Sequence, residues 1–333
     1  MNRLFLSLAS LAATIVASAG DFTRTDVRVV NKDAGLTLAG TVTSPVDGYA
    51  RAAIVMATGS GPQDRDETVF GHRPFRVIAE YLSSNGYVVL RMDDRGVGES
   101  EGERAEATSD VFAGDILAGI EWLDSCYSGL PKGVIGHSEG GILALKCAPK
   151  SDFIVTLAGP AWSGDSIVMS QSRAAAVGMT GRWDGEELQR KIMQTLKSPM
   201  ADFQARIVVT QALNHAYGAM ASMAGVKEQI NAQVDGLLSP WYRSFLRYDP
   251  AEDAKSVSVP WLALNGSKDT QVLPGNLQTF KKLNPNVTTV ELPNLNHLFQ
   301  TCTTGLPNEY ASISEDFSPT ALSVILDWLN ERF

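Results

Sequence analysis

The chain has 333 residues, and its 28 Lys and Arg against 37 Asp and Glu give a formal net charge of −9 at pH 7. This acidic balance argues against nucleic acid as a partner, because binding to phosphates needs a positive surface. Hydrophobic residues make up 44% of the sequence, and the length suits one large α/β domain or one such domain with an insertion.

The first residues have the pattern of an export signal. Arg3 is followed by an apolar run, Leu4–Val16, and by small residues at 17–19 that suit cleavage. We therefore predict a signal peptide over residues 1–19 and an exported protein, periplasmic or secreted. The alternatives are a buried N-terminal helix and a membrane anchor, but the run is short for a bilayer span. No later stretch approaches the apolar length of a membrane helix, so we expect no membrane partner after cleavage.

Strand-like and helix-like segments alternate along most of the chain. An antiparallel hairpin is predicted first, because the alternating runs DVRVV and LTLAGTV are separated by NKDAG between residues 26 and 43. Short apolar runs then alternate with helix-like stretches, which is typical of a mostly parallel sheet with helices on both faces. The predicted strands are Ala52–Ala57, Tyr87–Arg91, Gly133–Gly136, Phe153–Leu157, Trp261–Asn265 and Thr288–Leu292, and the predicted helices lie near 75–84, 110–125, 139–147, 275–283 and 319–332.

The alternation is interrupted once. Between Gly159 and about Tyr248 no convincing strand occurs, and the composition becomes rich in Met, Ala and Gln. We predict a helical cap insertion at 160–248 between two parts of an α/β core, 20–159 and 249–333. An independent helical domain is the alternative, but strand and helix alternate again directly after the segment.

The motif Gly-x-Ser-x-Gly occurs twice, and its context selects one copy. This motif places a serine on a strained strand-to-helix turn, where only glycine-sized neighbours leave room. GESEG at 98–102 follows DDRG and leads into a polar stretch, so it is predicted to be a loop. GHSEG at 136–140 is preceded by the strand-like GVI and followed by the helix-like GILALKCA. Ser138 is therefore the predicted nucleophile.

The base and the acid follow from position. In a fold with this turn the triad order is nucleophile, acid, base, and of four histidines His72 and His137 precede the serine while His215 lies in the insertion. His297, in LPNLNHLFQ after the last predicted strand, remains as the base. Asp269 lies in the loop after Trp261–Asn265 and is the predicted acid, although an ordinary turn aspartate is the alternative. Asp249 and Asp253 precede that strand and fit less well.

Two backbone amides are candidates for binding an oxyanion. The amide of Glu139 is free because it begins the helix after the nucleophile. The second donor is expected in the loop TGSGP at 58–62, from Ser60 or, failing that, Gly61, with a plain tight turn as the alternative.

Other chemistry is poorly supported. The clusters DRDE at 64–67 and DDRG at 93–96 have no suitably spaced histidine or cysteine, so we expect no metal and interpret them as ion pairs that brace loops beside the site. Cys126, Cys147 and Cys302 include no CxxC pair and allow one disulfide at most. We expect no cofactor, and the sequence leaves the oligomeric state open.

Seven segments occur in an order and spacing shared with a known family: GSGPQDRDE, YVVLRMDDRGVGES, GHSEGG, FIVTLAGP, VPWLALNGSKDTQV, LPNLNHLFQ and EYASISEDFSP. They resemble EstD-like bacterial carboxylesterases of the α/β-hydrolase superfamily over nearly all of the mature chain. The resemblance implies an α/β-hydrolase fold and a cofactor-free serine esterase for short acyl esters, with Ser138, Asp269 and His297 as the triad. The late segment is less acidic than the family pattern.

The predicted function is hydrolysis of a small-molecule ester. A peptidase of the aminopeptidase type is a rival, which would need carboxylates in the cap to hold a free amine, and the pair Glu186 and Glu187 is the candidate. A non-catalytic binding protein that keeps the fold is a second rival, but it would be expected to lack a triad member, and none is missing.

Overall fold

The computed structural model describes residues 22–333, so the predicted signal peptide at 1–19 lies outside the described part of the chain. Its strands form one sheet in the order β1-β2-β4-β3-β5-β6-β7-β8. The strands are β1 (Phe22–Asn31), β2 (Leu36–Pro45), β3 (Ala52–Ala57), β4 (Tyr87–Met92), β5 (Lys132–His137), β6 (Phe153–Leu157), β7 (Trp261–Gly266) and β8 (Thr288–Leu292).

The sheet starts antiparallel and becomes parallel. β1 and β2 form the predicted hairpin, with Val29 opposite Leu38, and β2 pairs antiparallel with β4. Every later pairing, from β4 with β3 to β7 with β8, is parallel. The carboxyl ends of β3, β5, β6, β7 and β8 therefore meet at one edge, which is where ligands bind in open α/β sheets.

Helices supply the crossovers and cover the sheet. They are α1 (Pro74–Ser83), α2 (Ser109–Cys126), α3 (Glu139–Cys147), α4 (Gly164–Thr180), α5 (Glu186–Lys197), α6 (Asp202–Tyr217), α7 (Ala224–Leu238), α8 (Pro240–Arg247), α9 (Ala251–Ser256), α10 (Gly275–Leu283) and α11 (Pro319–Asn330). Among the described residues, no helix has the length and apolar content to cross a bilayer.

Two apolar layers hold the helices on the sheet. Successive residues of β3 face opposite layers, with Val55 in one and Ile54 in the other. The first layer packs against α2, α3 and α10, and the second against α1 and α11. Burial on both faces explains why β3 is a continuous apolar run in the sequence.

The segment 160–248, called the insertion below, contains α4 to α8 and no strand, and it lies between β6 and β7. Its helices enclose an apolar cluster of their own, apart from the two layers of the sheet. The buried members of this cluster are Ile192, Met193, Leu196, Val209, Ala212, Leu213, Ile230, Val234 and Leu246.

Candidate active site

Ser138 lies on a sharp turn between β5 and α3, with φ 54° and ψ −119°. A side-chain-bearing residue is strained in this region, and the turn leads directly from strand to helix. The flanking glycines are required by packing. A Cβ on Gly136 would lie 1.9 Å from the carbonyl oxygen of Gly140, and a Cβ on Gly140 would lie 1.9 Å from the carbonyl oxygen of Ala57. The strand, turn and helix expected around Ser138 are present.

Ser100, in the other Gly-x-Ser-x-Gly copy, lies in the loop between β4 and α2. Its buried hydroxyl donates to the carbonyl of Asp93 at 2.8 Å and accepts the amide of Ala39 at 2.9 Å. The hydroxyl thus links loop and strand, and it does not line the cavity that contains Ser138.

The structure brings Asp269 and His297 together. His297 Nδ1 donates to Asp269 Oδ2 at 2.8 Å, and both side chains are buried. The other oxygen, Oδ1, accepts the amides of Gln271 and Val272 at 2.8 and 2.9 Å. Because a carboxylate only accepts, the imidazole carries its hydrogen on Nδ1, and Nε2 is left able to take a proton. This is the tautomer that a general base requires.

Ser138 and His297 line the same cavity, which has a volume of about 260 Å³. Ser138 enters it from the end of β5, and His297 from the loop after β8. Asp269, in the loop after β7, reaches the cavity through His297. The three residues, which span 160 positions of the sequence, therefore all lie at the carboxyl edge of the parallel strands.

Two other histidines have no place in the cavity lining. His72 is buried, with Nδ1 at 2.7 Å from Asp316 Oδ1 and Nε2 at 3.0 Å from the carbonyl of Tyr310. It ties the loop before α1 to the late segment of the chain. His215 is exposed on α6. Neither residue lines the cavity of Ser138.

His137 lies beside the site, but both of its ring nitrogens are occupied. Nδ1 is 3.0 Å from Glu67 Oε1, and Nε2 is 2.9 Å from the carbonyl oxygen of His297. Burial acts to lower the pKa of His137, but the charge and hydrogen bond of Glu67 outweigh burial and raise it. His137 is thus held in place and not free to accept a proton from Ser138.

The predicted oxyanion donors lie on both sides of the nucleophile. The loop after β3 packs on the turn, since a Cβ on Gly59 would lie 3.3 Å from Ser138 Cβ. Within residues 22–333 the amides of Ser60, Gly61 and Glu139 donate to no protein acceptor. Ser60 and Glu139 also line the cavity of Ser138, where their amides can bind a substrate oxygen, whereas Gly61 does not line it. The amide of Gly59 is used, because it donates to Glu67 at 2.6 Å.

Charged side chains brace this loop, as the sequence predicts for the two clusters. Asp94 Oδ1 accepts the hydroxyl of Thr58 at 2.6 Å, and Oδ2 accepts Arg104 at 2.7 Å and the amide of Gln63 at 3.2 Å. Burial raises the pKa of Asp94 to about 6, although Thr58 and Arg104 act to lower it. Arg104 also donates to the carbonyl of Gly61 at 2.7 Å. Asp94 and Arg104 therefore hold the backbone of the loop after β3 in place.

The insertion supplies one wall of the cavity. Ser239 caps α8 by accepting the amide of Tyr242, and Pro240 starts the helix, which places Trp241 over the turn after β5. The sequence did not reveal these wall residues, because apolar residues on a helix are equally suited to a core. The remaining lining is mostly apolar and includes Phe70, Ile167, Val168, Gln171, Tyr242, Phe245, Val272, Leu298 and Tyr310.

A larger groove of about 1350 Å³ lies elsewhere, between α4, α5 and α10. Its lining contains neither Ser138 nor His297, so the larger cavity is not the one that contains the candidate catalytic residues. Glu186 lines this groove and pairs with Arg190 at 2.6 Å. Glu187 lines neither space, so the structure does not bring the predicted amine-binding pair to Ser138.

Residues 22–333 contain no group of three His, Cys, Asp or Glu side chains arranged to hold a metal ion. The three cysteines are unpaired, with Cys126 exposed, Cys302 partly exposed and Cys147 buried. Burial raises the pKa of the Cys147 thiol to about 12, which makes it a poor nucleophile.

Comparison with known proteins agrees with this architecture. Residues 73–223 match the family described as Serine aminopeptidase, S33. The α/β hydrolase GrgF of Penicillium superimposes with a TM-score of 0.58, at 16% identity, over 93% of this chain and 98% of that chain. The protein has the α/β-hydrolase fold. The fold class predicted from the sequence is confirmed.

Esterases are among the proteins similar to this chain. Esterase EstD of Thermotoga maritima is 26% identical over 269 residues, which is 78% of this chain and 58% of that esterase. This chain thus spans less than two thirds of the length of EstD. An esterase of Pyrococcus furiosus superimposes with a TM-score of 0.56, at 18% identity, over 93% of this chain and 91% of that chain. The match to EstD confirms the resemblance seen in the sequence.

Proposed function

We propose that the protein is a serine carboxylesterase that cleaves short-chain acyl esters through an acyl-enzyme. Ser138 is the nucleophile, His297 the general base and Asp269 the residue that orients the imidazole. The observation that carries the proposal is the 2.8 Å bond between Asp269 and His297, two buried side chains at a cavity that also contains the strained Ser138.

In the first half of the reaction, His297 Nε2 takes the Ser138 proton as Oγ bonds to the ester carbonyl carbon. The amides of Glu139 and Ser60, with Gly61 as the alternative to Ser60, receive the negative charge on the carbonyl oxygen. The C–O bond to the alcohol then breaks, and the imidazolium gives the alcohol its proton. In the second half, His297 takes a proton from water, water attacks the acyl-enzyme, and the acid leaves as Ser138 regains its proton.

The preference for short acyl chains is supported by the cavity. Its volume of about 260 Å³ is at the small end for a ligand site, and its walls are mostly apolar. Such a space suits a small uncharged acyl group. A series of p-nitrophenyl esters of increasing chain length tests this point, and we expect kcat/KM to fall once the acyl chain exceeds the cavity.

The nucleophile is tested by Ser138→Ala with p-nitrophenyl acetate as substrate. We expect kcat to fall by a factor on the order of 10⁶, because the acyl-enzyme cannot form. Ser100→Ala is the matched control, because it removes a serine hydroxyl from the same motif outside the cavity, and it should keep kcat while lowering thermal stability. Wild-type protein should also be labelled by a fluorophosphonate, which a non-catalytic binding protein would not be. Turnover that survives Ser138→Ala would contradict the assignment.

A serine peptidase of the aminopeptidase type is the second candidate, and the family match over residues 73–223 favours it. Parallel assays with short acyl esters and amino-acyl p-nitroanilides separate the two. We expect the ester to be the better substrate, because Glu186 is paired with Arg190 at a different groove. A higher kcat/KM for the anilides would favour the peptidase.

Export is a separate proposal that rests on the pattern of residues 1–19. Expression of the whole chain in a bacterium, followed by N-terminal sequencing of the protein from the periplasm or medium, tests it. We expect cleavage after Ala19. Retention in the cytoplasm with an intact N-terminus would contradict it.

A further inference from the structure

Glu67 is a buried carboxylate in the wall of the cavity, at 3% exposure. Its Oε1 accepts the amide of Gly59 at 2.6 Å and faces His137 Nδ1 at 3.0 Å. Its Oε2 has no hydrogen-bond partner within residues 22–333. Glu67 adopts a φ of 52°, which is strained for a residue with a side chain. A charged group in such a place needs a compensating charge beside it.

His137 supplies that charge. Its Nδ1 faces the carboxylate of Glu67, and its Nε2 faces the carbonyl oxygen of His297 at 2.9 Å. When Glu67 is ionised both partners only accept hydrogen bonds, so both ring nitrogens then carry hydrogen and the ring is an imidazolium. The ring also lies 4.7 Å from the ring of His297, centroid to centroid. The ion pair is therefore packed directly against the proposed base.

The pair joins three segments that come from three different strands. Glu67 holds the loop after β3 through Gly59, whose backbone packs against Ser138. His137 is the last residue of β5 and immediately precedes Ser138. Through its Nε2 it also holds the backbone of the loop after β8, at His297 itself. Three hydrogen bonds among four groups thus connect the loop after β3, the turn at Ser138 and the loop after β8.

We propose that Glu67 and His137 form a positioning pair. The pair holds the loop after β3, with its proposed oxyanion donor, and the loop after β8, with His297, in fixed positions relative to Ser138. The inference rests on the proposed function of Ser138 and His297. Neither member of the pair is assigned a contact with the reacting atoms, so each acts through the groups it holds. The oxyanion donors contribute mainly in the transition state, and a displaced loop should therefore lower kcat more than it raises KM.

The test is a pair of substitutions that break the same contact from opposite sides. Glu67→Gln keeps the shape and an oxygen for the Gly59 amide but removes the negative charge. His137→Gln keeps a donor near the His297 carbonyl but removes the imidazolium. With p-nitrophenyl acetate, we expect each variant to lower kcat on the order of 10²-fold, because small displacements of catalytic groups cost about that much. KM should change by less than about 3-fold.

The double variant shows whether the two residues act as one unit. If they do, Glu67→Gln/His137→Gln should lower kcat by about as much as either single substitution. A loss equal to the product of the two single losses would mean that they act independently, which overturns the pair. The positioning pair would also be overturned if KM rose by the same factor as kcat fell. A wild-type kcat in folded single variants would overturn it as well.

Controls separate this proposal from folding and from the proposed function. Glu101→Gln makes the same change at an exposed carboxylate that also accepts a backbone amide, from Thr37 at 2.7 Å, and it should leave kcat unchanged. Near-ultraviolet circular dichroism establishes that each variant is folded, and if Glu67→Gln does not fold, His137→Gln carries the same test. If Ser138→Ala abolishes turnover while folded Glu67→Gln retains it, only the pair is overturned. If turnover survives Ser138→Ala, the proposed function and the pair both fail.

Discussion

The indole of Trp241 donates a hydrogen bond of 2.7 Å to Oε1 of Glu139, the residue that follows Ser138. The hydroxyl of Ser109 donates to the same oxygen at 2.6 Å. One residue thus carries a proposed oxyanion donor on its backbone and an anchor for the insertion on its side chain. Helix α8 is thereby attached to the nucleophile turn.

Replacing Trp241 by Phe should loosen this attachment. The indole of Trp241 stacks on Phe245 with a centroid distance of 5.6 Å, and a phenyl ring can still stack there. The phenyl ring has no N–H, so the hydrogen bond to Glu139 is lost. We expect the free energy of unfolding to fall by about 1 kcal/mol and KM for p-nitrophenyl acetate to rise while kcat changes less. Urea denaturation and steady-state kinetics measure both. Trp183→Phe, in the insertion but at the separate groove, should change neither, and an unaltered KM in Trp241→Phe would contradict the expected role.

Asp269→Asn should leave the fold intact and remove most of the activity. An amide that donates to His297 Nδ1 favours the opposite tautomer, in which Nε2 carries the hydrogen and cannot accept one from Ser138. We expect kcat to fall about 10⁴-fold, as in other serine triads. Asp249→Asn changes an aspartate that accepts the amide of Ala251 near α9, and it should keep kcat. Similar rates for the two variants would refute the role of Asp269.

The raised pKa of Asp94, about 6 against 3.8, predicts a pH-dependent stability. The folded protein binds this proton more tightly than the unfolded chain, so the favourable contribution is complete below about pH 4 and is lost as pH rises through about 6. The stability of wild type relative to Asp94→Asn should therefore decline over that window, by at most about 3 kcal/mol. Denaturant unfolding at a series of pH values measures the difference.

A companion variant tests the cause of this shift. The hydroxyl of Thr58 acts to lower the pKa of Asp94, so Thr58→Val should move the loss of stability to higher pH. A difference between wild type and Asp94→Asn that stays constant from about pH 4 to about pH 7 would contradict the raised pKa.

Gly136→Ala should disrupt the turn at Ser138. The added methyl would lie 1.9 Å from the carbonyl oxygen of Gly140, which is backbone and cannot move without displacing the turn. We expect a loss of at least about 3 kcal/mol in the free energy of unfolding, together with loss of activity. Gly114→Ala is the control, because a methyl on Gly114 of α2 meets nothing within 4 Å. It should stabilise the protein by about 0.5 to 1 kcal/mol, and equal effects at the two glycines would be unexpected.

The sheet could be predicted from the sequence because its strands are buried on both faces. The predicted bounds Ala52–Ala57, Phe153–Leu157 and Thr288–Leu292 agree with the structure at both ends, β4 and β7 are longer by one residue at one end, and β5 is longer by one residue at each end. The proposed triad could also be predicted, because a turn that needs glycine on both sides and a fixed order of loops leave few choices. The structure brings Asp269 to His297 as the order of the motifs suggested.

Other parts of the site have no such sequence signal. Trp241 and Phe245 face the cavity only because α8 crosses the nucleophile turn, and this crossing depends on tertiary packing. Glu67 belongs to the cluster DRDE, for which the sequence predicts ion pairs that hold loops beside the site. Arg65 of this cluster does pair with Asp93 at 2.7 Å. Glu67 differs because its side chain is buried in the site, and charge patterning does not distinguish a buried carboxylate from an exposed one.

The apolar cluster enclosed by the helices of the insertion has a consequence for protein engineering. Val168, Gln171 and Tyr242 line the cavity, yet none belongs to the apolar layers that hold the sheet together. A library that varies these three positions would sample new acyl selectivities while the sheet and its loops stay unchanged. Under the proposed function, the insertion therefore offers positions at which acyl selectivity can be varied apart from the sheet that carries Ser138 and His297.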